Sequence, residues 1–194
     1  MSNRSATIVL IAALLLVFLY EVASGVAGSE GALVPLGALR TRGWSATDSW
    51  RILTFSFLHL NALHLTLNIV ALYWLGGIVE RQVCAAGMLA VFASGGLMSG
   101  LVGMVLGQYL PTTGIAVGAS GAVFGLLGAA LVLEFRPDGA RRERDQGLRV
   151  ILPICLIVAV VISLLPGVSL AGHIGGLIGG VLVAPFVVRR RTSR

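Results

Sequence analysis

The sequence predicts an all-α membrane protein, a bundle of six transmembrane helices with a long interfacial loop between the first two. Two observations lead there. Charged residues make up 11% of the 194 and are absent over long runs, while 57% are hydrophobic and the mean hydropathy is +0.96. Soluble domains carry about 25% charged residues, and an uncharged apolar run of about 18 residues is long enough to cross a bilayer. The charges are also sorted by side. All fourteen basic residues are Arg. With six spans, Arg4, Arg81, Arg136, Arg141, Arg142, Arg144, Arg149, Arg189, Arg190, Arg191 and Arg194 fall on one side, and only Arg40, Arg42 and Arg51 on the other. Basic loops stay in the cytoplasm, so both termini are expected there. The basic face would meet anionic lipid head groups. The net charge of +6 therefore reads as topology rather than nucleic-acid binding, because the aromatics are few and not interleaved with the basic runs.

The spans fall at about 7–24, 61–79, 83–106, 115–135, 148–165 and 170–188. With their connections they use nearly the whole chain, so residues 1–194 are expected to form one transmembrane domain. The first span follows Arg4, and Val22-Ala23-Ser24 resembles a signal-peptide cleavage site. A retained span is preferred, since Tyr20 and Glu21 suit a helix end at the membrane interface. The loop over 25–60 is not hydrophilic. It mixes Leu33, Leu39, Trp44, Trp50, Ile52, Phe55 and Phe57 with Arg40, Arg42, Asp48 and Arg51, and is expected to fold against the outer leaflet boundary. Two readings of Trp50-Arg51 stay open: a loop anchor with the guanidinium on loop carbonyls, or an Arg snorkelling to the interface. In the third span, Ser94-Gly95-Gly96 and Ser99-Gly100 read as close helix packing. No base is expected at the depth of either serine. Cys84, at a cytoplasmic helix end, and Cys155, a small buried residue of the fifth helix, do not read as a disulfide or a metal pair.

The fourth span begins irregularly. Pro111-Thr112-Thr113-Gly114 weakens helix, and a helix starting near Ser120 would be about 15 residues, or ~22 Å, too short to span alone. The chain is therefore expected to descend non-helically under protein cover and to start its helix inside the membrane. That leaves backbone N–H groups at the positive end of a helix dipole beside Ser120. Gly121, Gly125 and Ala129 then form a small-residue stripe, matched on the sixth span by Gly172, Gly176 and Gly180. If the stripes face each other, the two backbones pack closely and Ser120 meets His173.

Depth supports that meeting. His64 to Glu80, Ser120 to Arg136 and His173 to Arg189 are each sixteen residues apart. Sixteen helical residues rise about 24 Å, so the three side chains would share one level if those charges mark one membrane face. An ionisable residue within a membrane is functional by default. His173 has no Asp or Glu near its depth, so a Ser–His dyad is expected rather than a triad, and Phe124, one turn after Ser120, can stack on the imidazole. His64 and Asn68 are four apart on one helix face, where both can donate to an oxyanion or simply bridge helices. His59 is expected to brace the long loop. No carboxylate or Cys completes a zinc site with the three histidines, so no metal and no other cofactor is expected.

Taken together, His59-x4-His64-x3-Asn68, Gly118-Ala119-Ser120-Gly121 and His173-x2-Gly176-x3-Gly180, with Trp50-Arg51 and Gly76-Gly77 before Glu80, resemble the rhomboid family of intramembrane serine proteases. The resemblance implies a rhomboid-type bundle in its six-helix bacterial form, in the bacterial inner membrane. It implies Ser120 as nucleophile, His173 as general base, and an oxyanion hole from His64, Asn68 and the Ser120 N–H, supported by Phe124, Gly118, Gly121, Gly176, Trp50 and Arg51. The implied partners are transmembrane protein substrates, reaching the site laterally past the fifth helix and the connection at 163–169. Two positions depart from the common pattern: Phe124, where many relatives have Tyr, and Gly172, where Ala is common. An inactive, client-binding relative and a small transporter using the same polar residues are the rival readings.

Overall fold

The computed structural model describes residues 4–109, 114–135, 146–165 and 167–187. The expectations for Pro111-Thr112-Thr113, and for the depth markers Arg136 and Arg189, fall outside the described residues. The uncharged apolar runs form helices. The long ones are α1 (Ser5–Ala23), α4 (Ala62–Glu80), α5 (Ala85–Leu106), α6 (Ser120–Glu134), α7 (Gln146–Ser163) and α8 (Leu170–Val187). Two single-turn helices, α2 (Glu30–Leu33) and α3 (Arg51–Thr54), lie in the first loop. By length and composition α1, α4, α5 and α8 can cross a membrane, while α6 and residues 148–163 of α7 are shorter apolar helices. Exposed Leu, Ile and Val side chains cover the outside of α1 and α7, as a lipid-facing surface requires. The chain is an integral membrane protein.

Glycines set the packing. A Cβ at Gly176 would overlap the carbonyl oxygen of Gly121 and lie 2.7 Å from its carbon; at Gly180 it would meet Gly125 in the same way. The two small-residue stripes therefore face each other, and both numberings rise together, so α6 and α8 run parallel. On its other side, α8 turns Gly175 and Gly179 to Met98 and Ser94 of α5. Here the numbering runs oppositely, and α5 is antiparallel to α8. Ser94 Oγ donates to Gly179 O at 2.9 Å, which is the packing role its sequence suggests.

Helix α1 is fastened at both ends. Glu80 accepts from the N–H groups of Ala6 (2.8 Å) and Thr7 (3.0 Å) and from the Thr7 hydroxyl (2.7 Å). Carboxylate at a helix N-terminus satisfies orphan donors and the dipole together. Glu80 is thus buried rather than a solvated marker of the membrane face. At the other end, Glu21 is fully buried and accepts the His59 N–H at 3.1 Å. Cys84 and Cys155 are both free thiols, and Cys155 is half-buried rather than fully buried.

The first loop departs from an all-α reading. Strands β1 (Leu39–Arg40) and β2 (Ile115–Ala116) pair antiparallel, Leu39 with Ala116 and Arg40 with Ile115. Leu33, Val34, Ala38 and Leu58 form a small core under the loop. Arg51 decides between its two readings in favour of the anchor. Its Nη1 donates to the carbonyls of Val34 and Ala38, its Nε donates to Asp48 at 2.7 Å, and its guanidinium lies 4.7 Å from the Trp50 ring centroid. The hydrogen bond from Arg51 holds the Asp48 carboxyl below its ordinary range.

Candidate active site

The irregular descent before α6 is held by the first loop, donor by donor. Thr41 N–H reaches Gly114 O at 2.9 Å, the Gly118 N–H reaches Phe55 O at 3.0 Å, and the Ala119 N–H reaches His59 Nε2 at 3.4 Å. With the β1–β2 ladder, this gives the non-helical backbone before α6 its hydrogen-bond partners. His59 Nδ1 lies 3.2 Å from Phe57 O, so one imidazole links the loop to the segment before Ser120. The sequence placed His59 in the loop but gave no sign that it grips Ala119.

Helix α6 begins at Ser120, as the Pro and Gly residues before it in the sequence predict, and runs fifteen residues. The N–H groups of Ser120, Gly121 and Ala122 therefore precede the first intrahelical bond, from Val123 N–H to Ala119 O at 2.9 Å. Gly118 has φ +114°, and a Cβ there would lie 2.5 Å from His64 Cε1. Only glycine suits that backbone and lets the His64 ring lie against it.

His173, in the first turn of α8, is 6% exposed. Its Nε2 lies 2.9 Å from Ser120 Oγ. Phe124 stacks on the ring with centroids 4.1 Å apart and planes 14° from parallel. Its Nδ1 lies 2.6 Å from Ser163 Oγ, a contact the sequence reading missed, since nothing in α7 announces where its last turn docks. His64 is in the first turn of α4 and Ser120 opens α6, so the three side chains share one end of the bundle. Asn68 is buried one turn beyond His64, and its amide donates to His64 O at 3.0 Å, leaving one amide hydrogen. Gly121 and Gly176 meet next to the pair, whereas Trp50 and Arg51 lie away from it, in the first loop, where the guanidinium holds the Val34 carbonyl.

A cavity of about 30 Å³ adjoins Ser120 and His173, bounded also by Ser99, Ser169, Gly118 and Gly172. Ser99 is therefore in the same wall as the imidazole, and the expectation that no base lies at its depth is corrected. Ser120, not Ser99, is the hydroxyl bonded to Nε2.

Fold and site define a helical integral membrane protein in which a serine hydroxyl and an imidazole from parallel helices share a hydrogen bond. The Rhomboid domain matches residues 46–190, and the chain belongs to the rhomboid family. Rhomboid protease GluP of Bacillus subtilis is 34% identical over 176 residues, 88% of this chain and 32% of the relative. RHOMBOID-like protein 4 of Arabidopsis thaliana is 36% identical over 138 residues, 70% of this chain and 33% of the relative. Rhomboid-like protease 3 of Toxoplasma gondii is 28% identical over 160 residues, 81% of this chain and 59% of the relative. The chain spans about a third of the length of the first two.

Proposed function

We propose that this protein is an intramembrane serine endopeptidase that cuts peptide bonds in or near transmembrane segments of other membrane proteins. The observation that carries the reading is the 2.9 Å contact between Ser120 Oγ and His173 Nε2 at the N-terminus of α6. His173 accepts the hydroxyl proton as Oγ attacks the peptide carbonyl. The oxyanion is held by the Ser120 N–H, the free amide hydrogen of Asn68 and the His64 ring, in a region where such donors act strongly. Collapse of the intermediate expels the amine, which takes its proton from His173, and leaves an acyl-serine. Water then attacks that ester, giving its proton to His173, which returns it to Ser120 Oγ as the acid leaves. The cavity beside the pair is large enough for a water molecule, and its largely apolar lining includes Thr41, Ser99, Ser120, Ser169 and His173 as polar partners.

In this reading residues 1–194 form one domain with all six long helices in the bilayer, the shorter α6 completed by the β2 segment. Both termini lie in the cytoplasm of a bacterium, and the basic face meets lipid head groups. A helical substrate pairs all its backbone groups, so it must unwind before attack, and small or helix-breaking residues near the cut favour this. It reaches Ser120 beside α7, whose inner face is a single stripe through Leu152, Leu156 and Ala159.

The test is cleavage of a membrane-anchored reporter with Gly and Pro near the expected cut, in vesicles. The intact protein is expected to release two fragments, and Ser120→Ala none. A client-binding or transporting protein would leave the reporter whole with either chain.

A further inference from the structure

The base needs a proton on Nδ1 and a free lone pair on Nε2. Stacking on Phe124 fixes the plane of the His173 ring but not which nitrogen is protonated, and no carboxylate approaches Nδ1 among the described residues. Ser163, 2% exposed at the last residue of α7, does. Its Oγ lies 2.7 Å from Ala159 O and 2.6 Å from His173 Nδ1. A hydroxyl has one proton and a carbonyl has none to give. Two oxygens 2.7 Å apart need that proton between them, so Oγ–H donates to Ala159 O. The bond to His173 must then be Nδ1–H donating to Oγ. Nε2 is left bare, facing the Ser120 hydroxyl at 2.9 Å.

We propose that Ser163 is a positioning residue for the base, holding His173 as its Nδ1–H tautomer through a proton it has already committed to the backbone of α7. It does for tautomer and orientation what a buried Asp does in a triad, without a charge in the membrane. This rests on the protease reading for its consequence, but the tautomer itself does not.

Histidine labelled with 15N tests it in the intact protein, because the chain has only three imidazoles. The His173 signals are identified by their absence from His173→Gln. In the wild type, Nδ1 is expected to carry the proton and Nε2 to show the shift of a bare imidazole nitrogen. In Ser163→Ala the two forms should mix, and kcat for the reporter should fall about 10- to 100-fold with KM little changed. Ser163→Thr keeps the hydroxyl and should restore both readouts. A wild-type Nε2–H tautomer overturns the proposal even if the reporter is cut. So does Ser163→Ala with unchanged His173 signals, whatever its activity. An Nδ1–H signal lost in Ser163→Ala and regained in Ser163→Thr, in a protein that cuts no reporter, upholds the tautomer lock and removes the protease reading instead.

Discussion

Ser120→Ala and His173→Ala are each expected to lower kcat for the reporter by about 10⁴-fold or more, and the double variant no further than either alone. The reason is the shared hydrogen bond. Without the imidazole, the hydroxyl proton has no acceptor at the moment of attack. Without the hydroxyl, the imidazole has nothing to activate. Each substitution removes the same step, so the losses do not add. What survives is the contribution of the oxyanion donors and of substrate placement, which neither change touches. Stability separates the two variants. Ser120 is half-buried at a helix start and Ala suits that position, whereas His173→Ala also vacates the space against Phe124 and frees Ser163. His173→Gln is the milder companion. Single-turnover cleavage in vesicles, read beside thermal unfolding of each variant, checks the expectation. Losses that multiply in the double variant would mean that the residues serve separate steps.

Gly176→Ala is expected to destabilise the bundle by about 1–3 kcal/mol and to cut activity by more than that loss explains. Two effects compete. Alanine gains up to about 1 kcal/mol over glycine in a helix interior. Against this, the new Cβ would overlap the Gly121 carbonyl and lie 3.0 Å from the Gly121 Cα. The obstacle is backbone, which cannot rotate aside as a side-chain tip can, so relief requires α6 and α8 to part. Overpacking wins. The same parting widens the Ser120–His173 contact, because Gly121 follows Ser120 and Gly176 is one turn from His173. Gly31→Ala in α2 is the control: a Cβ there meets nothing within 4 Å. It should be neutral or slightly stabilising. Unfolding of both variants in detergent, with kcat at a temperature where both are folded, distinguishes packing from general damage.

These expectations draw on different layers of the sequence. The helices and the facing glycine stripes were legible because apolar runs and four-residue spacing are local signals. Ser120 at a helix start was legible for the same reason: Pro and Gly before it deny a longer helix. The stack of Phe124 on His173 followed once those helices were paired. What escaped detection depends on docking. A two-residue ladder such as Leu39–Arg40 with Ile115–Ala116 has no periodicity to detect. His59 bonding to Ala119 and Ser163 bonding to His173 join residues 60 and 10 positions apart, and neither partner is marked by its neighbours. Glu80 misled the depth argument in detail. It looks like a solvated helix end but serves as a buried cap for α1. It still lies at the end opposite His64, so the shared level of the three side chains stands without it.

A serine-directed fluorophosphonate probes the pair without any substrate. It reacts only where a hydroxyl is activated by a base. A single covalent adduct is expected, found on Ser120 by mass spectrometry of the intact, membrane-embedded protein, and lost in His173→Ala while Ser94 and Ser99 stay unmodified. Labelling of another serine, or an unreactive Ser120 in a folded protein, would contradict it.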